Sequence, residues 1–138
     1  MKTLPLRLHP GDDLRRALEA AVAAHGARAA FVLAGIGSLA GAQLRLAGQA
    51  QPRALAGDIE ILTLAGSLGP DGSHLHAGLA GADGAVTGGN VGYGCIVRTT
   101  AEVVLALLDD WAFTRELDTA TGYAELAIRP RDAASGVR

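Results

Sequence analysis

From residue 30 onwards the chain is divided into short apolar runs, each of which begins or ends near a glycine. In order, these runs are residues 30–33, 42–46, 59–64, 75–79 and 91–97. Each run has the length of a strand, and glycine inside a helix is unfavourable by about 1 kcal/mol relative to alanine. The pattern therefore predicts a sheet of successive strands, with the 19 glycines concentrated at strand junctions.

One amphipathic helix precedes these strands. Pro10-Gly11-Asp12-Asp13 provides a turn and carboxylates for a helix N-terminus, after which apolar residues recur at helical spacing. Residues 3–9 alternate leucine with other residues, which is typical of a half-buried strand, and Pro5 indicates a sheet edge. The sequence predicts an α+β fold, mainly an antiparallel β-sheet with one principal N-terminal helix.

The last third of the chain continues the sheet. Residues 100–108 suit either a helix or a strand, and their β-branched side chains favour the strand. The pattern of residues 111–128 predicts two strands joined by a polar turn. With 49% apolar residues the chain can bury a core without a metal or a disulfide. We predict a single domain over residues 1–130 and a disordered C-terminal tail over residues 131–138.

Charge and cysteine content limit the classes of function. Twelve basic and 14 acidic residues give a net charge of −2, which provides no positive field for a phosphate backbone. Cys95 is the only cysteine, so neither an intrachain disulfide nor a thiolate cluster is possible, and we expect a buried thiol. We find no signal region and no apolar run of about eighteen residues, so we expect a cytoplasmic protein without a membrane segment.

A glycine-rich segment, Gly35-Ile36-Gly37-Ser38-Leu39-Ala40, formally matches the dinucleotide-binding fingerprint, with Asp58 about twenty residues further on. The fingerprint requires a helix directly after it, because the helix N-terminus binds the pyrophosphate. Residues 42–46 instead alternate like a strand. We therefore interpret the segment as a glycine turn between two strands.

A His-x-His motif is the strongest candidate for a site. A strand places His74 and His76 on one face with Cα atoms about 6.6 Å apart, so that both imidazoles can converge on one zinc ion. Two exposed strand histidines without a ligand are the alternative, and the spacing does not decide between them. Asn90, in the glycine-rich residues 87–94, is the polar residue that could complete the set, although an amide oxygen suits harder cations better than zinc.

The remaining histidines and the carboxylates have simpler explanations. His25 lies at a helix C-terminus and His9 at a strand end, so neither is a candidate ligand. Asp58 and Glu60 share one face of a predicted strand, and such carboxylates are commonly solvated or paired across strands. Glu60 and Glu102 are candidate proton carriers if a metal-dependent reaction takes place. No catalytic residue is assigned.

Seven motifs occur in an order that is more specific than any one of them. They are residues 6–14, 30–33, 35–39, 60–66, 74–76, 88–89 and 99–104. Over about residues 5–128, the chain resembles the plants-and-prokaryotes-conserved (PPC) domain, also called DUF296. The resemblance implies an α+β domain that forms a homotrimer, with a fold related to that of zinc-containing acetolactate decarboxylase.

The resemblance also implies a metal site and an association segment. In metal-containing members of the family, the His-x-His pair is joined by a third histidine in a Gly-Gly-His motif. The pair corresponds to His74 and His76, but the third position is Asn90, so the implied divalent metal, zinc, lacks its third imidazole. The family uses the segment that corresponds to Glu60-Ile61-Leu62 in association and packing.

Three functions remain open at this point. The first is a trimeric PPC-domain protein that acts by binding and assembly, with an unknown small-molecule ligand and no established reaction. The second is a metal-dependent lyase or hydrolase that uses His74 and His76. The third is a DNA-associated regulator. Plant members carry AT-hook DNA-binding motifs before this domain, but this chain has no Arg-Gly-Arg-Pro hook, and its charge does not support DNA as a partner.

Overall fold

The structure, a computed structural model, describes residues 1–132. This part of the chain contains ten strands and one helix. They are β1 (Lys2–Leu8), α1 (Leu14–Ala24), β2 (Ala30–Leu39), β3 (Ala42–Arg45), β4 (Arg53–Leu55), β5 (Ile59–Gly69), β6 (Gly72–Ala80), β7 (Val86–Val91), β8 (Val97–Leu107), β9 (Trp111–Asp118) and β10 (Tyr123–Pro130). The predicted α+β class with one principal helix is confirmed.

Eight of the strands form one antiparallel sheet in the order β1-β8-β2-β5-β6-β7-β3-β4. β1 pairs with β8 alone, which confirms the edge position that Pro5 predicted. β9 and β10 pair only with each other and form a separate hairpin. The strand prediction for residues 100–108 is confirmed, since most of this run belongs to β8.

The helix α1 covers one face of the sheet. Asp13 caps its N-terminus by accepting a hydrogen bond from the backbone N–H of Arg16 at 3.1 Å. Leu14, Leu18 and Val22 are buried against the sheet, where the largest fully buried side chains of the core are also found. No helix among residues 1–132 is long and apolar enough to span a membrane.

Two local predictions are wrong. Residues 92–95 form a turn between β7 and β8, so residues 91–97 are not one strand. The turn is fixed because the backbone N–H of Gly94 donates to Asp13 Oδ2 at 2.7 Å. Residues 35–38 lie inside β2 and do not form a turn. There, Gly37 permits β8 to approach closely, since a Cβ at this position would lie 2.6 Å from the Cα of Ala101.

The first residues of β9 contact the sheet face opposite α1. The buried ring of Phe113 in β9 packs edge-on against Phe31 in β2, with ring centroids 6.0 Å apart. The backbone N–H of Arg115 donates to Asp71 Oδ2 at 2.9 Å, which ties β9 to the turn between β5 and β6. β10 ends at Pro130, and residues 133–138 of the expected disordered tail lie outside the described residues.

Replacing Gly66 by alanine should destabilise the fold. Gly66 in β5 has a φ of +143°, and a Cβ there would overlap the carbonyl oxygen of His74 and lie 2.7 Å from the Cα of Leu75. We expect Gly66→Ala to lower the free energy of unfolding by about 2–4 kcal/mol in urea denaturation. The control is Gly88→Ala, whose nearest atom would be 3.5 Å away, and which should stay within about 1 kcal/mol of wild type. Equal stabilities of the two variants would contradict the close β5–β6 approach.

Candidate metal-binding site

The register between β6 and β7 brings the predicted ligand residues together. His76 and Asn90 are direct partners in this antiparallel pair, and direct partners project from the same face of a sheet. His74 precedes His76 by two residues and therefore shares that face. Both histidines are exposed on the side of the sheet opposite α1. We call His74, His76 and Asn90 the triad.

Three polar atoms of the triad converge. His74 Nε2 lies 3.0 Å from Asn90 Oδ1 and 3.0 Å from His76 Nε2, and His76 Nε2 lies 3.1 Å from Asn90 Oδ1. For metal–ligand bonds of about 2.0–2.1 Å, the ligand atoms of a tetrahedral zinc site are about 3.3–3.4 Å apart. The triangle is slightly smaller than this, so a small shift of the side chains would accommodate the ion.

The orientation of the Asn90 amide is consistent with ligation. Its nitrogen Nδ2 points towards the carbonyl oxygen of Arg45 at 3.5 Å, which leaves Oδ1 facing the two imidazoles. Within residues 1–132, no group of three His, Cys, Asp or Glu side chains is placed to hold a metal. A three-ligand site on His74 and His76 therefore depends on the amide oxygen of Asn90.

The electrostatic environment favours the neutral form of His74. Burial lowers the pKa of His74 below its ordinary value of 6.5, and the neighbouring His76 lowers it further. The hydrogen bond to Asn90 acts in the opposite direction, while the charges of Arg115 and Glu125 lower and raise the pKa respectively. Near pH 7 His74 is therefore an unprotonated imidazole, the form that binds a metal ion.

A cleft of about 830 Å³ adjoins the triad. His74 and Asn90 form part of its wall, together with Arg45 and, from the β9–β10 hairpin, Arg115 and Glu125. The sequence did not identify these last three residues. Arg115 and Glu125 are about 40 and 50 residues from His74 along the chain, and only the docking of the hairpin brings them near it.

The structure does not bring the predicted proton carriers to the triad. Glu60 pairs with Ala80, whereas His76 pairs with Ala65, so Glu60 lies about 16 Å along β5 from the partner of His76. Glu102 lies in β8, which is separated from β6 by two strands. Within one chain, therefore, neither Glu60 nor Glu102 is placed to act as a proton carrier at the triad.

The simpler explanations hold for the other singled-out residues. His25 follows the last turn of α1, where its Nδ1 lies 2.8 Å from the carbonyl oxygen of Ala21. Asp58 lies 3.7 Å from Arg98 in an exposed ion pair. Cys95 is buried, and burial raises the pKa of its thiol, as expected for a structural cysteine.

The family model of the Plants and Prokaryotes Conserved (PCC) domain matches residues 1–109. The chain is also 48% identical over 130 residues to the bifunctional protein GlmU of Synechococcus sp. strain JA-2-3B'a(2-13), a match that covers 94% of this chain and 21% of the relative. The same protein of Synechococcus sp. strain JA-3-3Ab is 48% identical over 128 residues. The chain spans about a fifth of the length of these curated relatives.

Solved structures with the same fold include a hypothetical protein from Salmonella cholerae-suis, 38% identical with a TM-score of 0.91 over 94% of both chains. A metal-containing protein from Archaeoglobus fulgidus is 29% identical, with a TM-score of 0.79 over 92% of this chain and 94% of that one. A protein from Bacteroides thetaiotaomicron, described as a candidate for DNA binding, is 16% identical, with a TM-score of 0.78 over 92% and 91% of the two chains. At that identity it shows the fold alone.

The pKa of His74 provides a test of the triad geometry in metal-free protein. We expect its imidazole to titrate below pH 6.5 in NMR experiments, and we expect His76→Ala to raise this pKa by removing a neighbouring charge. Because unfolding restores the ordinary pKa, the free energy of unfolding should fall as the pH drops through about 6.5, and stop falling below the folded-state pKa. A pKa of 6.5 or higher for His74 would contradict its partial burial and its proximity to His76.

Proposed function

The chain belongs to the Plants and Prokaryotes Conserved domain family, and from this premise we propose that it is a self-associating binding protein with a divalent-cation site at His74, His76 and Asn90. The observation that carries the proposal is the convergence of the two Nε2 atoms and Asn90 Oδ1 to within 3.0–3.1 Å of one another. The lone cysteine, Cys95, fits a reducing compartment, and we propose the cytoplasm as its location.

Two imidazole nitrogens and one amide oxygen fit zinc, with a lower affinity than three histidines would give. Two neutral imidazoles are common zinc ligands, and an amide oxygen is a harder and weaker donor. The structural likeness to a metal-containing protein from Archaeoglobus fulgidus supports a metal ion in this fold, without naming the element. A bound ion would supply a Lewis acid on the wall of the cleft. Its protein ligands would be His74, His76 and Asn90.

Zinc affinity tests the cation site. In calorimetric titrations of metal-free protein with Zn²⁺, we expect one site per chain that His74→Ala abolishes. Asn90→His should raise the affinity about tenfold or more, because an imidazole replaces the weaker amide donor. The control is His25→Ala, which removes a histidine at the end of α1 and should leave the affinity unchanged. Equal affinities of wild type and Asn90→His would show that Asn90 does not face the ion.

Self-association is proposed from the uncovered face of the sheet. Phe31, Leu33 and Ile36 in β2 and Leu62 in β5 are 40–56% exposed, although β2 and β5 are central strands. The hairpin adds further exposed apolar side chains, Trp111, Leu117, Tyr123 and Ile128. Exposed apolar side chains on central strands support an interface at this face, and a two-stranded hairpin is only marginally stable without a partner. The family resemblance implies that the assembly is a homotrimer, a closed cyclic arrangement.

Light scattering on the purified protein tests this assembly. We expect the mass of three chains for wild type and a shift towards the monomer for Ile36→Lys, because the charge would be buried at the interface. The matched control is Ala20→Lys, which introduces the same charge on the exposed side of α1, on the other face of the sheet. A concentration-independent monomer for wild type would refute the assembly.

A metal-dependent enzyme is the second candidate, favoured by the cleft next to His74. In the described chain, Glu125 is the carboxylate whose charge acts on His74, and it replaces Glu60 and Glu102 as the candidate proton carrier. DNA binding is not proposed, since a net charge of −2 provides no general attraction for a phosphate backbone.

A further inference from the structure

We propose that the cleft beside the triad binds a small carboxylate anion, with the guanidinium of Arg115 receiving the carboxylate group. This inference rests on the proposed function because it places the anion next to the cation site, and it names the class of ligand that the cleft takes. Three observations support it: the position of Arg115, its free donors and the balance of charge in the cleft.

Arg115 is held beside His74 by hydrogen bonds. Its Nη2 donates to Ser67 Oγ at 3.0 Å, and its backbone N–H donates to Asp71 Oδ2 at 2.9 Å. Ser67 is the direct partner of His74 in the β5–β6 pairing, so the two side chains project from the same face within about 5 Å of each other at Cβ. The guanidinium therefore lies over the strand pair next to the triad.

The guanidinium of Arg115 keeps donors for a ligand. Among residues 1–132 it forms no ion pair with a carboxylate, and its one side-chain hydrogen bond goes to a neutral hydroxyl. Arg15, on the same cleft, is engaged differently: it donates to Glu19, to Ser73 and to the carbonyl oxygen of Val91. A guanidinium with several free N–H groups matches a carboxylate in shape and charge.

The balance of charge on the cleft wall favours an anion with a single negative charge. Arg45 contributes a second guanidinium to the cleft wall, and its hydrogen bond goes to the carbonyl oxygen of Gln49 at 3.4 Å. The two carboxylates on this wall are Asp71 and Glu125. Asp71 accepts the backbone N–H of Arg115, and Glu125 accepts the hydroxyl of Thr121 at 3.0 Å. With Arg15, Arg45 and Arg115 against these two carboxylates, the wall carries one net positive charge, which a monocarboxylate neutralises and a phosphate dianion exceeds.

Benzoate and benzamide provide a matched pair of probes, because they have the same shape and differ in charge. We would measure their dissociation constants by NMR and calorimetry, with inorganic phosphate as a third probe, on metal-free and on Zn²⁺-loaded protein. In metal-free protein, benzoate should bind at least tenfold more tightly than benzamide or phosphate. Arg115→Gln should weaken benzoate binding about tenfold or more, and Arg115→Lys should weaken it less.

The control is Arg129→Gln, a substitution on the same hairpin at an arginine that already pairs with Glu116 and does not line the cleft. It should leave benzoate binding unchanged. Circular dichroism of each variant would verify that the hairpin stays folded, and Arg115→Lys keeps the test decisive if Arg115→Gln unfolds.

The outcomes separate this inference from the proposed cation site. If Zn²⁺ binds but benzoate and benzamide bind equally, or if benzoate binds equally to wild type and Arg115→Gln, the carboxylate inference is wrong and the cation site stands. If Zn²⁺ does not bind while metal-free protein still prefers benzoate in an Arg115-dependent way, the cation site is wrong and the carboxylate inference stands. Equal binding of phosphate and benzoate to metal-free protein would also overturn the preference for a carboxylate.

Discussion

The antiparallel pairing of β6 with its two neighbours is the constraint on which the candidate site depends. Pairing with β7 sets His76 opposite Asn90, and pairing with β5 sets His74 opposite Ser67, which holds Arg115. A shift of either register by one residue would turn one set of side chains to the other face of the sheet. The positions of the cation ligands and of Arg115 in the cleft therefore both depend on the register of β6.

The candidate site faces outwards because α1 covers only the opposite face of the sheet. α1 packs Leu14, Leu18 and Val22 against one face, and the core lies between them. The other face carries the triad, the exposed apolar side chains of β2 and β5, and the base of the hairpin. An interface between chains on this face would border the cleft, so association and ligand binding would affect the same surface.

Local patterns predicted much of the fold, because period-two alternation and helix capping depend on neighbouring residues. The same period placed His74 and His76 together, and the glycine-rich residues 87–94 pointed to Asn90, which the family resemblance also put at the third ligand position. Arg115 and Glu125 could not be found in this way, since their position depends on the long-range contact of Phe113 with Phe31. The strand predicted for residues 91–97 failed for a similar reason: its turn is held by Asp13, some 80 residues earlier.

The most direct test of the account is a ¹⁵N NMR titration of the histidine side chains with Zn²⁺. The account predicts that Nε2 of His74 and Nε2 of His76 change together and saturate at one ion per chain, while the imidazoles of His9 and His25 stay unchanged. A response of His9 or His25 in their place, or no response of the His74 and His76 pair at stoichiometric Zn²⁺, would contradict the account.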